Sequence, residues 1–137
     1  MASEKRPALP GYSEVFPDAG FNAFVGPVWR ADDGAHYVFD VRDVHLNGGG
    51  TLHGGMAMAL ADIVMGRTVR DALEGGRALT ISLSCDIVTP AKAGERITGR
   101  ATITKRTRTI VFIAGELKVA DRVILTATGI WKILGDG

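Results

Sequence analysis

One segment of this chain, residues 53–74, constrains the fold more than any other. Its first three turns are apolar on every side, and Asp62 is the only formally charged residue between His53 and Gly66. A helix that is apolar all round must be buried, so the segment predicts a central helix that stops at Gly75-Gly76. Its last turns are charged and are expected to reach solvent. A lone carboxylate on such a helix is costly to bury and needs a partner or a function.

The sequence on either side of this helix predicts six strands. Segments rich in Thr, Val and Ile are joined by short turns, which imply antiparallel neighbours. Only one helix is long enough to cover the apolar face of the resulting sheet. The pattern therefore predicts an α+β fold in which a curved, mostly antiparallel sheet wraps one long helix. The expected strands are residues 24–31, 35–42, 79–88, 95–106, 109–120 and 123–133.

The strand expected at residues 79–88 alternates strictly along its length. Leu83 and Cys85 are placed on one face, and Thr80 and Ser82 on the other. Cys85 is the chain's only cysteine, so no intrachain disulfide can form. A sheet with one covering helix leaves edges and surface uncovered, and homo-oligomerisation is the usual remedy.

Length and composition indicate a single soluble domain. The chain has 137 residues, of which 46% are apolar and 23% charged, and its net charge of +1 gives no field that favours nucleic acid. Residues 1–22 hold three of the five prolines and are expected to form a partly flexible leader, with residues 23–137 as the domain. Neither a membrane-spanning run nor a signal peptide is evident, which predicts a cytoplasmic protein without a membrane partner.

The start of the helix suits chemistry on a carbonyl group. Gly54 and Gly55 carry no side chains, so a ligand can approach their amides closely. These amides are unpaired donors of the first turn and lie at the positive end of the helix dipole. A carbonyl oxygen placed there would be polarised as in an oxyanion hole. The same glycines would equally serve a tight passage from loop to helix, and both interpretations stay open.

The spacing between Gly54 and Asp62 predicts a dimer if both serve one reaction. Asp62 lies eight residues after Gly54, which is about 12 Å along the helix axis. Catalytic contacts need roughly 3 Å, so the two groups must then come from different chains. Two antiparallel helices side by side would form two composite sites. The alternative is a structural acid that is satisfied by neighbouring hydroxyls or amides.

The histidines and Asn47 have structural roles as their default interpretation. His53 would cap the helix, bond the loop or orient a ligand, and Asn47 would stabilise its glycine-rich turn. His36 is expected in a strand and His45 in a polar loop. Neither has a second ligand at metal spacing, so no metal site is predicted.

Basic residues are concentrated in the second half of the chain. Six of them, against one acid, lie between Lys92 and Arg108. Such an excess could meet a phosphorylated ligand. Charge patterning alone favours the solvated face of a strand pair.

Residues 35–134 as a whole resemble a known family, the hotdog-fold acyl-CoA thioesterases. The resemblance rests on a pattern that reads Asn47, two spacers, Gly50, two spacers, His53-Gly54-Gly55, six spacers, Asp62. Thr80 and the turn at residues 89–95, TPAKAGE, follow it. The chain is most similar to the PaaI-like branch of the 4-hydroxybenzoyl-CoA thioesterase superfamily. The resemblance implies a hotdog fold, assembly into homodimers and often dimers of dimers, and hydrolysis of an acyl-CoA thioester.

The same resemblance implies a role for each matching residue. The Gly54 amide would bind the oxyanion, and Asp62 would attack the thioester or activate water. Thr80 would position the water or the carboxylate. Water is the co-substrate, and no cofactor is implied. Two further residues, Asn47 and His53, would lie near the carbonyl and the water, and the substrate- and CoA-binding positions would be Gly55, Lys105, Arg106 and Arg108.

Two other functions remain possible on the same fold. Hotdog dehydratases place a histidine and an acid near a helix to eliminate water from hydroxyacyl thioesters, although their loop differs from the one here. A non-catalytic hotdog protein would bind acyl-CoA without turning it over. Product analysis distinguishes the three.

Overall fold

The structure is a computed structural model that describes residues 7–135. The first six residues of the expected leader lie outside the described residues. A 3-10 turn at Asp43–His45 precedes the long helix. The other elements, in chain order, are β1 (Tyr12–Glu14), α1 (Gly20–Val25), β2 (Val28–Ala31), β3 (Tyr37–Asp40), α2 (Gly54–Ala72), β4 (Ala78–Ile87), β5 (Arg96–Arg106), β6 (Ile110–Val119) and β7 (Arg122–Ile133).

The strands form one antiparallel sheet that wraps α2. Their order across the sheet is β1-β2-β3-β5-β6-β7-β4, so β1 and β4 are the two edges. The helix packs against β4, β5, β6 and β7. This arrangement confirms the predicted fold class, a hotdog fold with a single long helix inside a curved sheet.

Within residues 7–135 the sheet has seven strands rather than the expected six. The additional strand, β1, pairs with β2 and aligns Tyr12 with Ala31. It lies within residues 1–22, the segment expected to form a leader. A strand of three residues is too short to give an alternating signal in the sequence. The boundary proposed at residue 22 stays a prediction.

The strand expected at residues 24–31 is wrong in its first half. Residues Gly20–Val25 form the short helix α1, and β2 begins only at Val28. Pro27 explains the break, because a proline disfavours helical backbone in the residue before it. Gly26 accordingly ends α1 in an extended conformation.

A β-bulge in β4 changes which side chains face the helix. Pairing with β7 shifts register between Thr80 and Ser82, so that Ile81 is an extra residue. The bulge reverses the alternation and turns Thr80 to the face of the sheet that carries Leu83. The predicted strict alternation, with Thr80 opposite Leu83, is therefore wrong. Neither glycine nor proline marks this bulge in the sequence.

The core lies between α2 and the sheet. Helix α2 approaches β6 closely at Gly115, because an added Cβ there would lie 3.1 Å from the side chain of Met65. The prediction that the first half of α2 is buried on every side is wrong, because Met58 is 40% exposed. None of the helices within residues 7–135 combines the length and apolar character of a membrane-spanning segment. The buried residues of α2 are Met56, Ala57, Leu60, Ala61, Val64, Met65 and Val69.

Candidate active site

Asp62 lies half-buried in the middle of α2 and is anchored through one oxygen. The hydroxyl of Thr80 on β4 donates a hydrogen bond of 2.8 Å to its Oδ1 atom. Within residues 7–135, the Oδ2 atom has no hydrogen-bond partner. A carboxylate held in this way keeps one oxygen available to accept a proton or to attack a carbonyl carbon.

A cleft of about 210 Å³ opens beside this carboxylate. Asp62 and Thr80 lie on its wall, together with Gly66 one helical turn further on. The indole of Trp131 borders the cleft opposite Gly66, where an added Cβ would lie 3.6 Å from the indole Nε1 atom. Small-molecule pockets commonly measure roughly 300–1,000 Å³, so this cleft suits a small group or one part of a larger site.

The two glycine amides at the N-terminus of α2 differ in their hydrogen bonding. His53 caps the helix, and its Nδ1 atom accepts a hydrogen bond of 2.9 Å from the Gly55 amide. The Gly54 amide has no acceptor among residues 7–135. Of the two glycine amides, Gly54 is therefore the one available to a ligand.

Gly54 and Asp62 lie on one uninterrupted helix. Their separation is about 12 Å at roughly 1.5 Å per residue, so a single chain does not bring them to the same carbonyl. Asp62 and Thr80 are brought together, whereas Gly54 belongs to a second region at the start of the helix.

Asn47 is used by its own loop. Its side-chain Oδ1 accepts hydrogen bonds from the amides of Gly49, at 3.0 Å, and Thr51, at 3.1 Å. Its Nδ2 atom donates to the Thr51 hydroxyl at 3.1 Å. These bonds shape the turn that leads into α2. In the described part of the chain, Asn47 makes no hydrogen bond to Asp62 or Thr80.

His45 has a structural role that the sequence did not reveal. It is the one buried polar side chain within residues 7–135, with 2% exposure. Its Nε2 atom donates to the Val25 carbonyl at 2.7 Å, and Nδ1 accepts from the Arg42 amide at 2.9 Å. Burial lowers the pKa of His45, although the bond to Val25 acts in the opposite direction. Its carbonyl accepts from the His53 amide at 2.8 Å, which ties it to the start of α2.

The basic positions expected to bind CoA lie near the other end of α2. Arg106 donates to the Ala72 carbonyl at 3.2 Å, at the last turn of the helix. Lys105 and Arg108 are exposed beside it in the β5–β6 hairpin. Ala72 is ten residues after Asp62, about 15 Å along the axis, and is almost twice as far from Gly54.

Neither Cys85 nor a metal-binding group provides a second reactive centre among residues 7–135. Burial raises the pKa of the Cys85 thiol, and the nearby charges of Asp86 and Asp62 act in the same direction. A thiol held in its neutral form is a poor nucleophile. Across residues 7–135, no three His, Cys, Asp or Glu side chains are grouped closely enough to hold a metal ion.

Comparison with known proteins gives a family match and several relatives. Residues 49–126, more than half of the chain, match the family described as the thioesterase superfamily. Mouse acyl-coenzyme A thioesterase 13 is 31% identical over 77 residues, which are 56% of this chain and 55% of that protein. The aligned region thus spans about half the length of that relative.

Solved structures share the fold over most of the chain. A phenylacetic acid degradation-related protein from Ralstonia eutropha JMP134 has a TM-score of 0.74 at 28% identity, covering 85% of this chain and 92% of that one. A Bacillus halodurans protein crystallised with CoA has a TM-score of 0.74 at 20% identity, covering 83% of this chain and 75% of that one. The second similarity shows the fold alone.

Proposed function

Because the chain belongs to the thioesterase superfamily and is a thioester hydrolase, we propose that it cleaves an acyl-CoA thioester into a free acid and CoA. The observation that carries this proposal is the pair of Asp62 and Thr80 at the edge of the cleft. The pair presents a carboxylate that is fixed through one oxygen and open at the other.

Asp62 is the proposed general base or nucleophile. As a base, it takes a proton from water while the water oxygen bonds to the thioester carbon. As a nucleophile, its oxygen bonds to that carbon, and water then hydrolyses the resulting anhydride. In both routes the carbonyl becomes an oxyanion, and its collapse breaks the carbon–sulfur bond and releases CoA as thiolate. Thr80 restricts the rotation of the carboxylate by bonding Oδ1.

The proposed oxyanion donor is the Gly54 amide of a second copy of the chain. The separation of about 12 Å within one helix excludes the Gly54 of the same chain. The cap between His53 and Gly55 supports this role, because it uses the neighbouring amide and leaves the Gly54 amide open. Asn47 and His53 would then lie near the carbonyl and the attacking water of the partner's site.

A two-fold homodimer formed through β4 would create two such sites. This strand is an edge of the sheet, and it exposes Leu79 at 59% and Ile81 at 56%. An exposed apolar edge strand invites pairing with another strand. Antiparallel pairing with its symmetry mate would also cover Met58, and it would set the two α2 helices side by side with opposite directions. A dimer of dimers is the proposed full assembly.

The CoA portion is proposed to meet Gly55, Lys105, Arg106 and Arg108 of the second copy, the one that supplies Gly54, so that the acyl group and CoA leave the carbonyl in opposite directions along α2. Lys105 and Arg108 have no acidic partner within residues 7–135, so their charges are available to phosphate. We propose no cofactor, with water as the second substrate. A cytoplasmic location stays a prediction.

The test is a thiol-release assay over aryl and short- to medium-chain acyl-CoAs. Asp62→Asn should lower kcat by about 10²–10⁴-fold, the usual contribution of a general base. The oligomer and the melting temperature of this variant should match those of the wild type. Retained turnover in a correctly folded Asp62→Asn variant would contradict the assignment. Formation of enoyl product from 3-hydroxyacyl-CoA without thiol release would indicate a dehydratase, and tight binding without turnover would indicate a non-catalytic protein.

A further inference from the structure

We propose that the cleft beside Asp62 selects acyl groups with a negatively charged far end, and that Arg70 recognises this charge. The inference rests on the proposed acyl-CoA hydrolysis and names the class of acyl group, a linear diacid attached to CoA through one carboxyl.

The cleft is aligned with one face of α2. Asp62, Gly66 and Arg70 are spaced four residues apart, and all three line the cleft. Arg70 is about 12 Å further along the axis than Asp62. Long side chains in helices lean toward the N-terminus, so the guanidinium of Arg70 reaches back toward the carboxylate. A linear acyl group with its carbonyl at Asp62 would run over Gly66 and end near Arg70.

The middle of the cleft suits a methylene chain. Gly66 contributes no side chain, and Ala78 contributes only a methyl group. Trp131, which is 3% exposed, borders the cleft beside them with its indole N–H on the side of Gly66. Gly66 and Ala78 therefore leave room for a chain between an acid at one end and a cation at the other.

The two arginines in the cleft, Arg67 and Arg70, differ in whether an acid neutralises their charge. Arg67 binds Asp71 at 2.9 Å, and Asp71 also binds Arg30 at 2.8 Å. Burial of Asp71 opposes its ionisation, but hydrogen bonds from Arg67 and Arg30 outweigh this effect and lower the pKa of the carboxyl. The charge of Arg67 is therefore committed to Asp71. Arg70 has no acidic partner among residues 7–135.

Arg70 is held in place by a contact with the ring of Phe16. Its guanidinium lies 5.4 Å from the centre of the Phe16 ring, a cation–π contact, and Arg67 lies 5.5 Å from the same ring. Phe16 has a φ of 46°, a left-handed conformation that is uncommon for a bulky residue. The Arg70 side chain makes no hydrogen bond within residues 7–135, so its N–H donors stay free for bidentate binding of a carboxylate.

The test compares acyl-CoAs of equal chain length with and without a terminal carboxylate. The matched pairs are succinyl- and butyryl-CoA, glutaryl- and valeryl-CoA, and adipoyl- and hexanoyl-CoA. In at least one pair, the wild type should favour the diacid in kcat/KM by about tenfold or more, since hydrogen bonds between charged groups are the stronger kind. Arg70→Met keeps the apolar stem and should abolish this preference, and Arg70→Glu should reverse it.

Lys132→Met is the matched control. It removes one positive charge from β7 at the exposed residue next to Trp131, on the opposite face of the strand. The preference for diacids should be unchanged in this variant.

Three results would overturn the inference. One is a wild type that does not distinguish the members of any pair. Another is an Arg70→Met variant that retains the wild-type preference. The third is an Arg70→Met variant whose KM rises equally for both members, because Arg70 would then bind the CoA phosphates. Absence of thiol release across the whole panel would contradict the proposed function instead. Calorimetric titration of the wild type and Arg70→Met with the same pairs would then test the inference. Equal affinities of the wild type for the two members of every pair would overturn it. Tighter binding of the diacid member that is lost in Arg70→Met would support it.

Discussion

Thr80 reaches Oδ1 of Asp62 at 2.8 Å because the bulge at Ile81 turns it toward α2. In a regular strand, this hydroxyl would lie on the same face of β4 as Ser84, opposite the face that carries Leu83. A single inserted residue thus converts a surface threonine into the anchor of the candidate catalytic acid.

We expect Thr80→Val to lower kcat by about tenfold, because a charge-assisted hydrogen bond is lost while the shape of the side chain is kept. Thr80→Ser retains the hydroxyl and should stay close to the wild type. The measurement is thiol release at saturating acyl-CoA. A Thr80→Val enzyme with undiminished kcat would show that Thr80 does not position the acid.

We expect Gly54→Pro to remove the oxyanion donor without disrupting α2. Proline is favoured at the first helical position, and the preceding residue, His53, already has the compatible dihedral angles φ −59° and ψ 131°. The loss in kcat should be about 10²–10³-fold, as for other oxyanion donors.

Gly54→Ala is the matched control for that change. It also places a Cβ near Ile87, which lies 3.0 Å from the ideal position, but it keeps the N–H group. Circular dichroism should show equal helix content in both variants. Equal activity of the proline and alanine variants would exclude the Gly54 amide from the reaction.

We expect activity to return when Asp62→Asn and Gly54→Pro chains are mixed and allowed to exchange. A mixed dimer would hold one site with both groups intact, so random pairing should restore roughly a quarter of wild-type activity in a two-fold assembly. Each variant alone should be almost inactive. Failure to recover activity, with mixed dimers verified by mass spectrometry, would contradict composite sites.

We expect the pH dependence of stability to include a contribution from His45. Burial lowers the pKa of this residue below its ordinary value of 6.5, so the unfolded chain binds more protons in the interval between the two values. The contribution is complete above about pH 6.5 and is lost as the pH falls toward the folded-state pKa.

His45→Gln isolates this effect, because its amide N–H can still reach the Val25 carbonyl but does not titrate. Urea unfolding at about pH 8 and about pH 5 should show a smaller loss of stability for the variant than for the wild type. Equal losses would show that the burial of His45 does not affect acid stability.

The parts of the fold that follow simple periodicity could be predicted from the sequence. The sequence predicts the long helix over residues 53–74, and the helix runs over Gly54–Ala72. The strands after it lie within about two residues of their expected bounds. Local propensity and periodicity suffice there because each element is long and ends at a glycine, a proline or a tight turn.

The parts that depend on tertiary context could not be predicted. The register of the bulge is set by pairing with β7, and β1 exists only because β2 is available as a partner. The burial of His45 depends on Val25 and Phe39, which are distant in the sequence. In the site, family resemblance indicated that Thr80 would act with Asp62, whereas strict alternation placed it on the wrong face.

The eight-residue interval between Gly54 and Asp62 also limits how enzymes of this design can diversify. One inserted or deleted residue would rotate Asp62 by about 100° around the helix and shift it by about 1.5 Å, away from Thr80. Changes in substrate preference are therefore expected to come from substitutions in the cleft walls, such as Phe16, Arg70 and Trp131. The helix fixes the spacing of these groups, and residues on the surrounding elements can change the shape and charge of the cleft without altering it.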